Sequence, residues 1–280
     1  MKVLIYGGKS NLSESLIPEI SKFAEVITAG RNNCDIKIDL KDDISTFVFP
    51  HGIDVIIHTA AHFGGISDHE ILEAENINAI GTLKLCQAAL KYDIKYFVYI
   101  SSIYTLSDVV SDKNTIYSIS KRHSEELAKY YCSLHRLPLV ILRPSPIYGI
   151  GDKYSIHQPF FYKIIDSARK GEHVFIHGSN DPKRNFIYVD DLVIIISKVI
   201  QDRIEGVYQC THTNNITFSE IAESAFSAFH TNGSVFFLTD KPNVDDNIFI
   251  NDFSLYKKIN YYPQISIQEG IRKISNDYNL

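Results

Sequence analysis

What most constrains this chain is an alternation in its first 150 residues, where short, largely apolar runs are separated by longer stretches with helical spacing. The runs Val3-Leu4-Ile5-Tyr6, Val26-Ile27-Thr28-Ala29, Val55-Ile56-Ile57-His58, Tyr96-Phe97-Val98-Tyr99-Ile100 and Leu139-Val140-Ile141-Leu142 are rich in β-branched and aromatic residues. They do not alternate with polar residues, as expected of strands covered on both faces. Between them, 76–91 carries Ile77, Ile80, Leu83, Ala88 and Ala89 on helical spacing, and 117–134 carries Leu127, Tyr130 and Tyr131.

Parallel strands need a crossover, usually helical, so the pattern predicts an α/β fold: a Rossmann-type doubly wound parallel sheet with a smaller C-terminal substrate lobe. From about residue 150, Gly, Pro, His and Asn become frequent and the elements shorten. Residues 1–150 are therefore expected to form a dinucleotide-binding domain that also receives strand and helix segments around 185–215. Residues 151–280 are expected to form mainly the substrate-binding lobe.

Composition narrows the function. Of 280 residues, 45% are hydrophobic and 22% charged, which excludes disorder. Twenty-eight basic residues against 33 acidic ones give a net charge of −5, so no nucleic-acid partner is expected. No apolar stretch approaches 18 residues, so no membrane span is expected, and the run ending at Gly7 is too short for a signal-peptide core. Four scattered cysteines without a C-x-x-C pair signal neither zinc nor a disulfide framework, which fits a reducing cytoplasm. The expected partner is a small molecule.

The first run ends in Gly7-Gly8-Lys9-Ser10-Asn11-Leu12-Ser13 ahead of a helix-forming stretch, where a Rossmann unit brings backbone N–H groups to a pyrophosphate. Read as G-x-x-G-x-x-G, the turn keeps Gly7, while Ser10 and Ser13 replace the other glycines. Serine is small but does not tolerate a positive φ as glycine does. Gly7, Lys9, Ser10, Asn11 and Leu12 are candidate cofactor contacts; the other reading is an ordinary strand-to-helix turn. The second run ends in Ala29-Gly30-Arg31, with no acid for an adenosine 2′-hydroxyl. Arg31, with Lys9, favours the 2′-phosphate of NADP over NAD; otherwise both are solvated cations.

Tyr117 and Lys121 stand four residues apart on one helix face. A nearby cation lowers a phenol's pKa, so Tyr117 is expected to exchange a proton with a hydroxyl or carbonyl while hydride moves at the same carbon. The fourth run ends in Ser101-Ser102, at the sheet edge where such folds bind ligands. Ser102 is thus a candidate hydrogen-bond donor to the reacting oxygen, or a turn-capping serine.

With these motifs in place, the sequence resembles the extended short-chain dehydrogenase/reductases, which include NAD-dependent epimerases and dehydratases acting on nucleotide sugars. The resemblance spans nearly the whole chain. It rests on Gly7, Asp39-Leu40, His58-Thr59-Ala60-Ala61, Asn78-x-x-Gly81-Thr82, Ser102, Tyr117-x-x-x-Lys121, Arg143-Pro144-Ser145-Pro146-Ile147-Tyr148-Gly149, Arg184-Asn185-Phe186-Ile187-Tyr188-Val189-Asp190-Asp191, and the closing Tyr262-Pro263 and Glu269-Gly270. It implies that Ser102, Tyr117 and Lys121 are the catalytic triad, with Tyr117 and Lys121 also holding the cofactor. It further implies Asp39 and Leu40 along the adenine, Ala60 and Ala61 along the cofactor backbone, and Pro144 and Ser145 beside the nicotinamide. Ser102 and Arg184 would bind substrate, Arg184 by clamping a diphosphate; the alternative for Arg184 is an ion pair with Asp190 or Asp191. The resemblance also implies a homodimer through the 76–91 and Tyr117 helices.

Family dehydratases carry an acidic pair directly after the catalytic hydroxyl. This chain has Ile103-Tyr104 there, which disfavours dehydration. Ile103 likewise offers no proton for epimerisation beside a ketone, and His62 and His157 are only possible substitutes. What remains is NAD(P)-dependent 4-keto reduction or C4 epimerisation of a nucleotide sugar, with NADP favouring reduction. Pro146, where many members have a substrate-binding asparagine, leaves open a reductase of a smaller aldehyde or ketone. The missing glycines leave open a non-catalytic NAD(P) sensor or scaffold.

Overall fold

The computed structural model describes residues 1–107, 115–151 and 153–278. The chain divides into two units, Met1–Pro144 with Val193–Cys210, and Ser145–Leu192 with Thr211–Leu280. The first contains β1 (Lys2–Tyr6), α1 (Asn11–Ile20), β2 (Glu25–Gly30), β3 (Ile36–Lys37), β4 (Val55–His58), α2 (Asp68–Ala74), α3 (Gly81–Lys91), β5 (Tyr96–Ile100), α4 (Ile116–His135) and β6 (Leu139–Pro144). The second begins with β7 (Ile147–Tyr148), α5 (Lys153–His157), α6 (Pro159–Arg169), β8 (Val174–His177), β9 (Lys183–Arg184) and β10 (Ile187–Tyr188). The chain then runs through α7 (Val189–Gln201) into β11 (Gly206–Cys210) of the first unit, and returns for β12 (Ile216–Thr217), α8 (Phe218–Phe229), β13 (Val235–Leu238), α9 (Ser254–Lys258) and α10 (Ile267–Tyr278).

In the first unit, seven strands form one sheet in the order β11-β6-β5-β4-β1-β2-β3, every pair parallel. The sequence-predicted α/β doubly wound architecture is therefore present. Val3–Ile5, Val55–Ile57 and Tyr96–Val98 are wholly buried, which is why these strands read as continuous apolar runs. β1 pairs with both β2 and β4, so the strand order reverses beside it, and Tyr6 stands opposite His58 where the two strands end. In such sheets the crevice beyond these carboxyl ends is the ligand position.

The helix expected from Asn76 begins earlier, at Asp68, because Ser67 and Glu70 form a reciprocal capping box. It continues to Lys91 through a π-helical segment, Glu75–Ile80, and places Leu72 and Ile80 outside the core. The expected 117–134 helix is α4, capped by Thr115. Its buried face is not the Leu127, Tyr130, Tyr131 stripe, since Tyr130 is 70% exposed. The buried face is Ser118, Lys121, Glu125, Ala128 and Cys132, largely polar because the strand ends offer hydrogen-bonding partners.

The second unit pairs β7 with β10 and β8 with β13 in parallel, and β9 with β12 antiparallel. Tyr148 meets Phe161, Phe186 and Tyr188 edge-on. Gly270 lets α10 close on this cluster, since a Cβ there would lie 2.2 Å from the Tyr148 hydroxyl oxygen. The buried Asp191 carboxylate accepts from Tyr261 Oη at 2.6 Å and from the backbone N–H groups of Gln264 and Ile265 at 2.9 Å each, pinning the segment before α10. Asp191→Ala would leave three donors without their acceptor at about 1–3 kcal/mol each, so a loss of at least about 3 kcal/mol is expected in urea unfolding.

Candidate active site

The turn after β1 explains its own sequence. Gly7 has φ +90°, and a Cβ on it would stand 2.6 Å from Thr59 Oγ1 and 2.7 Å from Ala60 N, so glycine is required here. Ser10 has φ −71° and caps α1 by accepting from Ser13 N at 3.2 Å, so no glycine is needed at that position. Ser10 Oγ donates to Ser13 Oγ (2.9 Å) or Thr59 Oγ1 (3.1 Å), and Ser13 Oγ lies 2.8 Å from Thr59 Oγ1. The two serines that replace glycines thus tie the turn to the end of β4. The other first-turn N–H groups of α1 have no acceptor within the helix, which makes its N-terminus an anion-binding position. Around it stand exposed Lys9, half-buried Asn11 and buried Leu12.

Arg31 is exposed just after β2. Nearby, Asp35 Oδ2 accepts from Thr28 N and Thr28 Oγ1 at 2.8 Å each. Those hydrogen bonds, with Lys9 nearby, hold the Asp35 carboxyl below its ordinary range. Asp39 Oδ1 accepts from Lys41 N, and Leu40 is buried against Gly81 of α3. Ala60 and Ala61 follow β4, both half-buried.

Ser102, Tyr117 and Lys121 converge beyond β5. Ser102 does two things: its Oγ accepts from Tyr104 N at 3.3 Å, capping a short 3-10 turn, and its hydroxyl hydrogen-bonds the Tyr117 side chain. Phe63 stacks on the Tyr117 ring, centroids 4.9 Å apart. The expectation that Lys121 lowers the phenol pKa is corrected. Crowding by protein atoms pushes Tyr117 up to about 12, against a smaller lowering by the Ser102 hydrogen bond. Lys121 Nζ instead donates to Ile100 O at 2.8 Å and lies 4.5 Å from the Tyr99 ring centroid. Burial drives the ammonium down to about 7, and Glu125 acts in the opposite direction.

Three further groups around this trio received no role from the linear reading. Glu125, one turn beyond Lys121, is buried and accepts from Ser101 Oγ at 2.6 Å and from Arg143 Nε at 2.9 Å. His58 is buried, stacks on Tyr99, and its Nε2 lies 3.0 Å from Thr82 Oγ1. Burial, with the Lys121 charge, holds its pKa well below the ordinary value. Asn78, in the π segment, accepts from His62 N (2.8 Å) and donates to His62 O (2.7 Å) and Ser120 Oγ (2.8 Å). It fixes the loop that carries Phe63. The Asn78-x-x-Gly81-Thr82 motif flagged this residue but not its task.

In the second unit, Arg184 Nη1 donates to Lys183 O and Asp245 O at 2.8 Å each, with its guanidinium 4.8 Å from the Phe218 ring centroid. Asp190 and Asp191 pair instead with Lys273 and with the Tyr261–Ile265 segment. Pro144 ends β6; the hydroxyl of the next residue, Ser145, is buried with no partner among the described residues. A cavity of about 470 Å³, lined by Tyr148, Phe186, His212, Asn215, Glu220 and Gln268 among others, contains none of the sequence-predicted site residues. No group of three or more His, Cys, Asp or Glu residues suited to a metal occurs among the described residues. No described helix is long and apolar enough to cross a membrane.

The fold, with a glycine turn at the strand reversal and Ser, Tyr and Lys gathered at the strand ends, defines the class of short-chain dehydrogenase/reductases. Comparison narrows the class. Residues 8–210 match the NAD dependent epimerase/dehydratase family, and the chain belongs to it as an enzyme of that family. CDP-abequose synthase of Salmonella typhimurium is 27% identical over 216 residues, covering 72% of this chain and 71% of that one. A putative UDP-glucose 4-epimerase of Methanocaldococcus jannaschii is 23% identical over 98% of this chain and 97% of its own. The fold is shared with UDP-N-acetylglucosamine 4-epimerase of Methanobrevibacter ruminantium in complex with UDP-N-acetylmuramic acid (TM-score 0.81, 21% identity, 99% and 98% of the chains covered). It is shared too with Bordetella bronchiseptica WbmF in complex with NADH (TM-score 0.80, 19% identity, 99% and 91% covered).

The turn yields a test. Gly7→Ala is expected to cost about 1–3 kcal/mol in backbone strain alone. Ser10→Gly, although it restores a glycine, is expected to lower stability as well, because it removes the cap and the link to Thr59. Melting curves of the two variants check both outcomes.

Proposed function

We propose that this enzyme reduces the 4-keto group of a nucleotide-linked sugar with a nicotinamide dinucleotide, NADPH in preference to NADH. The observation that carries the reading is the Tyr117 hydroxyl, protonated at neutral pH with a pKa near 12 and hydrogen-bonded to Ser102. A reduction needs a proton donor at the carbonyl oxygen, and a phenol in this state supplies one. Ser102 orients that oxygen. The buried ammonium of Lys121 would hold the cofactor ribose. A bound nicotinamide dinucleotide supplies the hydride; Gly7, Lys9, Ser10, Asn11 and Leu12 would hold its pyrophosphate, and Asp39, Leu40, Ala60, Ala61, Pro144 and Ser145 its remaining length. The Ser145 hydroxyl, buried with no partner among the described residues, and the position of the α1 N-terminus after the glycine turn fit such a ligand.

Arg31 supports NADPH as an exposed guanidinium after β2, while Lys9 contributes less because Asp35 offsets its charge. Ile103 is wholly buried after Ser102, so that position offers no proton carrier for dehydration. A nucleotide-linked sugar also agrees with the name of the Salmonella relative, CDP-abequose synthase. Arg184 would clamp the substrate diphosphate, as a fork of donors suits two phosphate oxygens. The four free cysteines fit a reducing cytoplasm.

Steady oxidation of NADPH is expected with a CDP- or UDP-linked 4-keto sugar. Tyr117→Phe should lower kcat by about 10²–10⁴-fold with cofactor binding retained. Interconversion of 4-hydroxy epimers without net NADPH loss would assign C4 epimerisation instead. Turnover confined to small aldehydes or ketones would assign a reductase of that kind, and tight binding without turnover a sensor. The reading includes a homodimer, supported by Leu72, Tyr130 and Leu134, each more than 60% exposed on α2 and α4. Sedimentation should give twice the mass of one chain, and a one-chain mass would remove the dimer.

A further inference from the structure

The buried carboxylate of Glu125 sits in a chain of charges that ends at Lys121. Lys121 and Glu125 are four residues apart on the inward face of α4, each 1% exposed. Arg143 of β6 grips the carboxylate with both ends of its fork, Nε to Oε1 at 2.9 Å and Nη2 to Oε2 at 2.5 Å. Ser101, at the end of β5, donates to the same Oε1 at 2.6 Å. Three neighbouring secondary elements therefore fix one carboxylate within a turn of the ammonium that hangs on Ile100 O.

We propose that Glu125 is a positioning residue that keeps Lys121 charged, and that Arg143 sets how strongly it does so. The inference rests on the reading of Lys121 given under Proposed function. The physical reason is the competition at Lys121. Burial removes water from the ammonium and opposes its charge, and the Tyr99 ring and Ile100 carbonyl are its direct neighbours. The titratable groups facing it are Glu125 from α4, Tyr99 from β5 and His58 from β4. His58 is held neutral, and Tyr99 is pushed far above its ordinary value by burial, so neither supplies a charge near pH 7. Glu125 supplies the negative charge favouring Lys121, and Arg143, bound to both of its carboxylate oxygens, neutralises part of it.

Two substitutions must then act in opposite directions, which a purely structural pair would not do. Glu125→Gln removes the favourable charge and leaves Arg143⁺ unopposed, so the Lys121 pKa falls. Arg143→Met frees the full Glu125 charge, so it rises. The double variant Glu125→Gln/Arg143→Met removes both; with the Arg143 charge gone as well, the pKa falls less than in Glu125→Gln alone, and it stays below the unsubstituted value because Glu125 is the charge that acts on Lys121. It also guards against misfolding, since replacing both members of a buried ion pair is far milder than breaking it.

The test is an NMR titration of the Lys121 side chain, with ¹³Cε/¹⁵Nζ-labelled lysine and the resonance assigned through Lys121→Arg, on ligand-free protein. The expected pKa order is Glu125→Gln, then the double variant, then the unsubstituted enzyme, then Arg143→Met, with about one pH unit across the series. Both single variants shifting the same way, or neither shifting, would overturn the proposal. The double variant at or above the unsubstituted value would also overturn it. The alkaline limb of kcat/KM for keto-sugar reduction is then expected to follow the same order. If the NMR order holds and the limb does not follow, the charge relay stands and the catalytic reading of Lys121 fails.

Discussion

Burying an ammonium is among the least favourable things a protein core can do, and Lys121 is buried to within 1% of its surface. The site is organised around making this tolerable. Ile100 O supplies a direct acceptor at 2.8 Å, the Tyr99 face lies 4.5 Å away, and Glu125 supplies opposite charge one helical turn further on. Each partner sits on a strand end or on α4 itself, so the position of α4 along the sheet is specified by polar contacts as well as by packing. A rotation that suited a purely apolar face would strand both Lys121 and Glu125 without partners, at the high cost of uncompensated buried charge.

The same logic explains why α4 has a buried face that a hydrophobicity pattern misreads. Ser118 donates to Thr115 O, Ser120 to Tyr117 O and Ser124 to Lys121 O, so these small hydroxyls satisfy themselves within the helix. They also leave room for the long side chains of Lys121 and Glu125. Ser124 additionally meets the hydroxyl of Tyr99, and Ser120 accepts from Asn78. Through Asn78 the network reaches the His62-Phe63 loop, and so the aromatic cover on Tyr117. The π segment that carries Asn78 inserts an offset into an otherwise regular helix, a common device for aiming a side chain at a site.

What could be read in the linear sequence follows from how local each cause is. β1, β4, β5 and most of β6 were legible because burial on both faces makes an apolar run, and β2 was legible from its β-branched residues although it is largely half-buried, whereas β3 is two residues long and β11, Gly206-Val-Tyr-Gln-Cys210, mixes polar residues into an edge strand. The Tyr117–Lys121 pair was legible because four residues make one turn. The direction of their interaction was not, because Lys121 is captured by Ile100, 21 residues away and on another element. Glu125 and Arg143 are 18 residues apart and meet only through the α4–β6 packing. Arg184 was readable as a cation beside two acids, yet it binds carbonyls of Lys183 and Asp245, contacts set by a distant loop.

The degenerate phosphate turn shows how a motif loses letters without losing geometry. Of the three positions where glycine was expected, only Gly7 needs what glycine alone provides, a positive φ and no Cβ against Thr59 and Ala60. The second position, Ser10, lies in ordinary extended backbone, where a side chain costs nothing and a hydroxyl gains a cap. The third, Ser13, is wholly buried, and its Oγ meets two hydroxyls there, Thr59 Oγ1 at 2.8 Å and Ser10 Oγ at 2.9 Å. Thr59 also donates to Tyr6 O or Gly7 O, so a single side chain at the end of β4 offsets both substitutions. The replacement of two glycines by serine is thus coupled to threonine at position 59. Where that hydroxyl is lost, both serines lose a partner and the turn loses its side-chain tie to the end of β4, which removes much of what serine gains at these positions.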